Sequence, residues 1–372
     1  MAKLTVNVKL LNVRSRVPAT LPEPDGIVGT LKKGQSIDGT KVAAAELPNP
    51  ALGDWYRDAG GHFYWGGGLE DGGAMSSNTP ANVTGVTYNW IITAYGIDKL
   101  WQKTRGQGVK IAVVDTGLNY KHTNISRKTN ISYYNIFNQS TKAEDCMDTD
   151  GHGTMCAGMI AAHGPDVYGI APEADLLIIK ATKNGNMDCG SLAIAIEKAV
   201  ELQVRIISVS YDFPKEDPDM ESLEKAVRNA VNSKVFIVAS SGNGGSARLT
   251  AETYPACFEN VLAVGASDKD RNFWADTTVS PFLDILGPGA DIELMGLTAA
   301  TRKDSGTSFS TPYIAAVCAL SLSVSPAQDV PALIGSLKQQ SSDKEKIKAQ
   351  LQRYYDDQTL VIPGLGIVNP AV

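Results

Sequence analysis

Residues 305–322 read SGTSFSTPYIAAVCALSL, with hydroxyl residues and a proline crowded around Ser308 and an apolar run directly after them. Serine and threonine accept hydrogen bonds from the unpaired N–H groups of a helix's first turn, and proline suits that turn because its missing N–H would be unsatisfied there anyway. On that reading the polar cluster only caps a buried helix. The alternative is a serine nucleophile at a helix N-terminus, where free N–H groups and the helix dipole favour a developing negative charge. The choice depends on what the rest of the chain supplies.

Upstream, near-continuous apolar, β-branched runs (VKIAVVD, DLLIIKA, RIISVSY, VFIVASS, VLAVGAS) alternate with segments of helical spacing, GSLAIAIEKAVELQ and DMESLEKAVRNAVNS. Such runs predict a parallel sheet covered by helices on both faces, an α/β fold whose functional groups collect at the carboxyl ends of the strands. Three ends carry suggestive groups: Asp115 closes KIAVVD, His152 lies in DGHGTMCAGMIAA at the start of a helical pattern, and Asn243 follows VFIVASSG. With Ser308 they supply what acyl transfer needs. An imidazole activates a hydroxyl, a carboxylate fixes the imidazole's tautomer, and a carboxamide donates to an oxyanion. Taken singly, each residue also has an ordinary structural use: Asp115 as a turn cap, His152 as a helix-terminal polar group, Asn243 in a left-handed turn beside glycine.

Together, VVDTG, GHGTMCAG, SSGNGG and GTSFSTP occur in the order Asp, His, Asn, Ser, and in this the chain resembles the subtilisin-like serine proteases over residues 88–372. The resemblance implies catalytic Asp115, His152 and Ser308, an oxyanion donor in Asn243, a polypeptide substrate and no cofactor. It also implies that an extended substrate pairs with Ser208, Val209, Ser210, Tyr211 and Asp212 on one side and Gly185, Asn186 and Met187 on the other. Gly242 and Thr253 belong to the same binding region. Asp212 stands where the family usually has glycine and favours a basic side chain, whereas Thr253 and Ala256 stand where glycines are common and narrow the main pocket. The chain departs from the family elsewhere. No pro-domain is visible, and Asn124 and the short HGPDVY loop replace parts of a common calcium site, so no metal is expected. Met155 and Phe309 replace a frequent histidine and methionine. Cys156 shares a helix face with His152, as a small buried filler or as a thiol that modulates activity. A second carboxylate motif, DSGTS at Asp304, invites an aspartic-protease reading. That fold is all-β and leaves His152 and Asn243 without roles. GNGGSA is a loose fit to a dinucleotide fingerprint with no convincing helix after it.

Residues 1–70 differ in texture. KLTVNVKLLNVRS, TLKKGQSI and DWYRDAGGHFYWGGGLE read as short strands and turns, a small β-barrel that resembles a bacterial SH3-like domain and would bind a protein or cell-wall ligand. Residues 71–87, rich in Gly, Ser, Asn, Pro and Thr, read as a flexible linker to the peptidase domain at 88–372. Across the 372 residues the net charge is −6 without a dense Lys/Arg stripe, so nucleic acid and anionic membrane are unexpected partners, and a monomer is expected. No apolar run approaches about 20 residues, and MAKLTVNVKLLNVRSR lacks the pattern of a signal peptide. The five cysteines do not read as a disulfide framework. A cytoplasmic setting follows, with a secreted or periplasmic mature form stripped of its signal as the alternative.

Overall fold

The computed structural model describes residues 90–245, 252–355 and 365–368, and, nearer the N-terminus, 2–6, 10–14, 27–32, 35–43, 46, 55–65 and 69–71. The expected linker, apart from residue 71, and most of the closing GLGIVNPAV lie outside them. The chain divides into two compact units, residues 1–78 and 79–372.

Among the described residues of the first unit, seven strands form one antiparallel sheet: β1 (Ala2–Val6), β2 (Leu10–Arg14), β3 (Ile27–Lys32), β4 (Ser36–Lys41), β5 (Trp55–Asp58), β6 (Phe63–Trp65) and β7 (Leu69–Asp71), in the order β3-β2-β6-β5-β4-β1-β7. The aromatic segment forms the hairpin its pattern predicts, with Trp55 opposite Trp65 and Tyr56 opposite Tyr64. At its end Asp58 accepts from the Tyr64 hydroxyl (2.6 Å) and the His62 N–H (2.9 Å), which ties the turn.

The second unit opens with two short helices, α1 (Trp90–Ala94) and α2 (Ile97–Leu100). Then β-strands alternate with helices: β8 (Lys110–Asp115), β9 (Ile131–Asn135), α3 (His152–Ala161), β10 (Asp175–Lys180), α4 (Cys189–Glu201), β11 (Ile206–Val209), α5 (Met220–Asn232), β12 (Phe236–Ser240), β13 (Val261–Ser267) and β14 (Ile285–Pro288). The antiparallel pair β15 (Ile292–Met295) and β16 (Thr301–Asp304) leads into α6 (Thr307–Val324), followed by α7 (Val330–Gln340) and α8 (Lys344–Tyr355). The seven strands β8–β14 form one wholly parallel sheet, ordered β14-β13-β12-β11-β8-β10-β9.

Alternation along the strands assigns the two faces. Ile111 and Val113 of β8 enter a core with α3 and α6, while Ala112 and Val114 enter a second core with α4 and α5. Both faces are therefore dry, which explains why the strands read as unbroken apolar runs rather than alternating ones. Helix α6 is mostly buried: by length and mean hydropathy (1.3) it would pass for a membrane span, yet most of it is packed inside the first core. The cysteines are all free thiols, four of them buried.

Candidate active site

Asp115 ends β8, and His152 begins α3. Two glycines let the backbones that carry them touch. A β-carbon on Gly153 would lie 2.4 Å from the carbonyl oxygen of Gly117, and one on Gly117 (φ +114°) would lie 2.3 Å from that of Cys146. The contact is tied by the Gly153 N–H donating to Thr116 Oγ1 at 2.8 Å. These close approaches account for the glycines in VVDTG and GHGT.

The result is an imidazole set against a carboxylate: His152 Nδ1 lies 2.9 and 3.0 Å from the two oxygens of Asp115, which is 1% exposed and also accepts the Thr116 N–H at 2.7 Å. An ionised carboxylate only accepts, so Nδ1 carries the hydrogen and Nε2 is left with the lone pair. Burial opposes a charge on His152, but the Asp115 carboxylate outweighs it and raises the imidazole's basicity above the ordinary histidine value. Cys156 does not share that role, because burial pushes its own thiol up and keeps it neutral.

Sequence reasoning missed the brace beneath His152. Asp148, 4% exposed, accepts from the N–H groups of Asp150, Gly151 and Thr154 and from the Thr154 hydroxyl at 2.6–3.0 Å. Burial alone would raise its carboxyl; these hydrogen bonds lower it below the usual range. The signal was present in DTDGHGT, where an aspartate precedes a helix start and can collect its unpaired N–H groups.

Ser308 is the second residue of α6, half-buried, and Pro312 sits four residues later in the same helix. Proline has no N–H, so the Ser308 carbonyl loses its helical partner. It accepts instead from the Ser210 hydroxyl at 2.9 Å and, more weakly, from the Cys156 thiol at 3.5 Å. The same sulfur lies 3.9 Å from His152 Nδ1. His152 and Ser308 are thus neighbours around one buried atom, and the Phe309 ring lies 6.0 Å from the imidazole.

Asn243 joins them through the residue before Ser308. Its Oδ1 accepts from both the N–H (2.9 Å) and the hydroxyl (2.8 Å) of Thr307. The backbone N–H can only donate, so the amide orientation is fixed, and Nδ2 faces the Gly306 side at the start of α6. The Ser308 N–H, at the second helical position, has no carbonyl of its own helix to bond.

The expected substrate segments fall unequally. Ser208 and Val209 lie inside β11, paired on both sides by β8 and β12, so no ladder position is left there for a further strand. Ser210–Asp212 lie between the end of that ladder and the Phe213–Tyr254 bridge. Gly185 and Asn186 form a tight turn rather than an extended edge: the Asn186 N–H and carbonyl are both bonded to Lys183, and the Gly185 carbonyl accepts from Tyr211 Oη at 3.1 Å. Met187 packs on the second core. Thr253 is buried with its hydroxyl on the Ser241 carbonyl (3.1 Å), next to Gly242, whose β-carbon would lie 3.3 Å from Asp212. Asp304, the decoy carboxylate, sits on β16 and pairs with Arg302 at 2.9 Å.

At the family's calcium position the residues present do not fit a cation. Asn124 is 0% exposed, its Oδ1 accepts from the N–H groups of Asp166 (2.9 Å) and Val167 (3.3 Å), and its Nδ2 donates to the Ala300 carbonyl (3.2 Å). The amide pins by itself the loops that an ion would gather.

Residues 106–354 match the model of the Subtilase family. The chain is 36% identical to an "Intracellular serine protease" of Paenibacillus polymyxa over 59% of its own length and 68% of that protein's. It is 34% identical to the "Major intracellular serine protease" of Bacillus subtilis (60% and 71%) and 32% identical to "Thermitase" of Thermoactinomyces vulgaris (61% and 81%). Among solved structures, a cold-adapted subtilisin-like serine proteinase superposes with a TM-score of 0.60 at 22% identity, over 72% of this chain and 88% of that one, a likeness of fold. The prenylagaramide maturation protease PagA gives 0.61 at 27% identity, over 74% and 96%. With the parallel sheet and the site in place, the family match and these relatives make the chain a member of the Subtilase family, a subtilisin-like serine protease.

Proposed function

We propose that this protease is an endopeptidase in which Ser308 is the nucleophile, His152 the general base, Asp115 the residue that orients and charges the base, and Asn243 an oxyanion donor. The observation that carries the reading is the convergence on Cys156: its sulfur touches both the imidazole held by Asp115 and the carbonyl of Ser308. Nε2 of His152 takes the Ser308 hydroxyl proton as Oγ adds to the scissile carbonyl. The imidazolium so formed is stabilised by Asp115 and then gives that proton to the leaving amine. Negative charge on the carbonyl oxygen meets the Asn243 Nδ2 and the Ser308 N–H at the start of α6, where the helix dipole adds to them. Water repeats the sequence on the acyl-enzyme. A polypeptide docks along Ser210–Asp212, with Gly242 and Thr253 beside the residue that is cleaved. Labelling by a fluorophosphonate probe tests the assignment: the native protein should label, Ser308→Ala should not, and labelling of Ser308→Ala would refute it. Asn243→Ala should lower kcat by about 10²–10³ with little change in KM, the size known for removing one such donor from a subtilisin. A change confined to KM would move Asn243 to substrate binding.

The first unit we read as an SH3-like module, residues 1–70, that holds the peptidase domain (88–372) near a protein or cell-wall ligand. Short antiparallel strands with a tied aromatic hairpin support this. An intracellular setting is supported by the two relatives named as intracellular proteases and by five free thiols.

A further inference from the structure

Chemistry gathers at the carboxyl ends of the parallel strands, but a cavity of about 500 Å³ opens at their amino ends, away from Asp115 and His152. Three segments enclose it: the turn before β9, the turn after α3 and the chain before β10. Arg127, Lys128 and Asn130 line it from the first, His163 and Tyr168 from the second, and Glu173 from the third. Its carboxylates are engaged elsewhere. Glu173 lies 3.8 Å from Arg105, and Asp175 accepts from Asn130 Nδ2 at 2.6 Å. No carboxylate pairs with Arg127 or Lys128 among the described residues. Lys128 Nζ donates to the Pro172 carbonyl at 3.0 Å, which uses one of its three hydrogens. The cavity's field is therefore positive, and the groups in it respond. His163 is held below the ordinary histidine value by desolvation first, then by Arg105, Lys128 and Arg127. Desolvation pulls Lys128 down to about 8, although Asp175 and Glu173 oppose it.

We propose that this cavity is a binding site for a small ligand bearing a phosphate or diphosphate group, which braces the three segments around it. The Arg127 guanidinium presents a fork of N–H donors that matches phosphate oxygens, and the Lys128 ammonium adds a point charge. The Tyr168 ring, 5.1 Å from that of His163, gives an aromatic wall to whatever the phosphate is attached to. The braced segments are those that Asn124 already gathers: its carbonyl accepts the His163 N–H (2.7 Å) and its Oδ1 the Asp166 N–H (2.9 Å). Helix α3 runs from His152 to the cavity, about 15 Å at 1.5 Å per residue, so the ligand acts on the stability of the fold and not on the reacting groups. The competing role for Lys128 is structural, as the donor that ties the turn before β9 to Pro172.

Full-length Ser308→Ala protein, which does not digest itself, would be titrated calorimetrically with pyrophosphate and then melted in it, beside sodium chloride of equal ionic strength. Pyrophosphate at a hundredfold excess over its Kd should raise Tm by about 5–11 °C, because it binds only the folded state. Arg127→Gln and Lys128→Gln should each weaken pyrophosphate binding about tenfold or more and shrink the rise at the same concentration. Each rise is read against that variant's own Tm, so loss of the Lys128–Pro172 tie does not imitate loss of the ligand. A rise no larger than in sodium chloride overturns the site. So does a rise that both variants keep in full, since the ion would then be bound elsewhere. An equal rise in citrate would show a cavity for any multivalent anion and overturn the phosphate assignment.

Discussion

The carbonyl that Pro312 leaves without a helical partner is the most exacting test of how the nucleophile is held. Ser210→Ala removes the hydroxyl that bonds it at 2.9 Å and leaves only the Cys156 thiol at 3.5 Å, a weak donor. Ser210 is 7% exposed, so water does not readily take its place. A buried acceptor left short of a donor costs about 1–3 kcal/mol. At roughly 2–4 °C per kcal/mol, the melting temperature should fall by about 2–12 °C. The cause is separable from simple loss of a side chain, because Pro312→Ala gives the helix back the N–H that the Ser308 carbonyl lacks. In that background Ser210→Ala should cost about 1 kcal/mol less, a coupling measured by a double-mutant cycle. Thermal unfolding followed by circular dichroism, in inactive Ser308→Ala protein, reads all four corners without interference. Penalties that add to within about 0.3 kcal/mol would refute the argument, since the two residues would then not serve one carbonyl.

Because Asp115 raises the basicity of His152, the acid limb of kcat/KM should lie above about pH 6.5, and Asp115→Asn should move it to or below that value, burial then acting alone. A native limb at or below the ordinary histidine value would contradict this. By linkage, the stability this pair contributes should be complete below about pH 6.5 and fade as pH rises through the raised value. With Asn124 pinning its loops by hydrogen bonds, melting in EDTA should match melting in millimolar calcium, and a rise of several degrees in calcium would show a site there. Residues 88–372 alone should hydrolyse a short peptide as the full chain does; faster hydrolysis would make the first unit an inhibitor, and insolubility would make it a folding partner.

The parallel sheet and the convergence of Asp115, His152, Asn243 and Ser308 were legible because each group closes or opens an element whose pattern is local. The supports were not. Ser210 reaches Ser308 across 98 residues, and Asn124 reaches Ala300 across 176, separations that no periodicity records. The family motif groups Ser208 and Val209 with their neighbours, whereas their pairing to β8 and β12 depends on strand order, which a single chain's pattern does not state. At Gly185 and Asn186 the turn is set by Lys183 and by a tyrosine hydroxyl 26 residues on. Asp148 was readable in principle, since its partners all lie within six residues.

Helix α6 carries Ser308 at its start and the centre of the first core along its length. A nucleophile mounted this way cannot be released by local fraying; freeing it means melting the core. We expect each molecule to keep its full activity until it unfolds entirely, and each unfolded chain to become food for those still intact. Heat inactivation should then accelerate with enzyme concentration, and storage life would be set by the rate of the first unfolding event and not by wear at the catalytic residues.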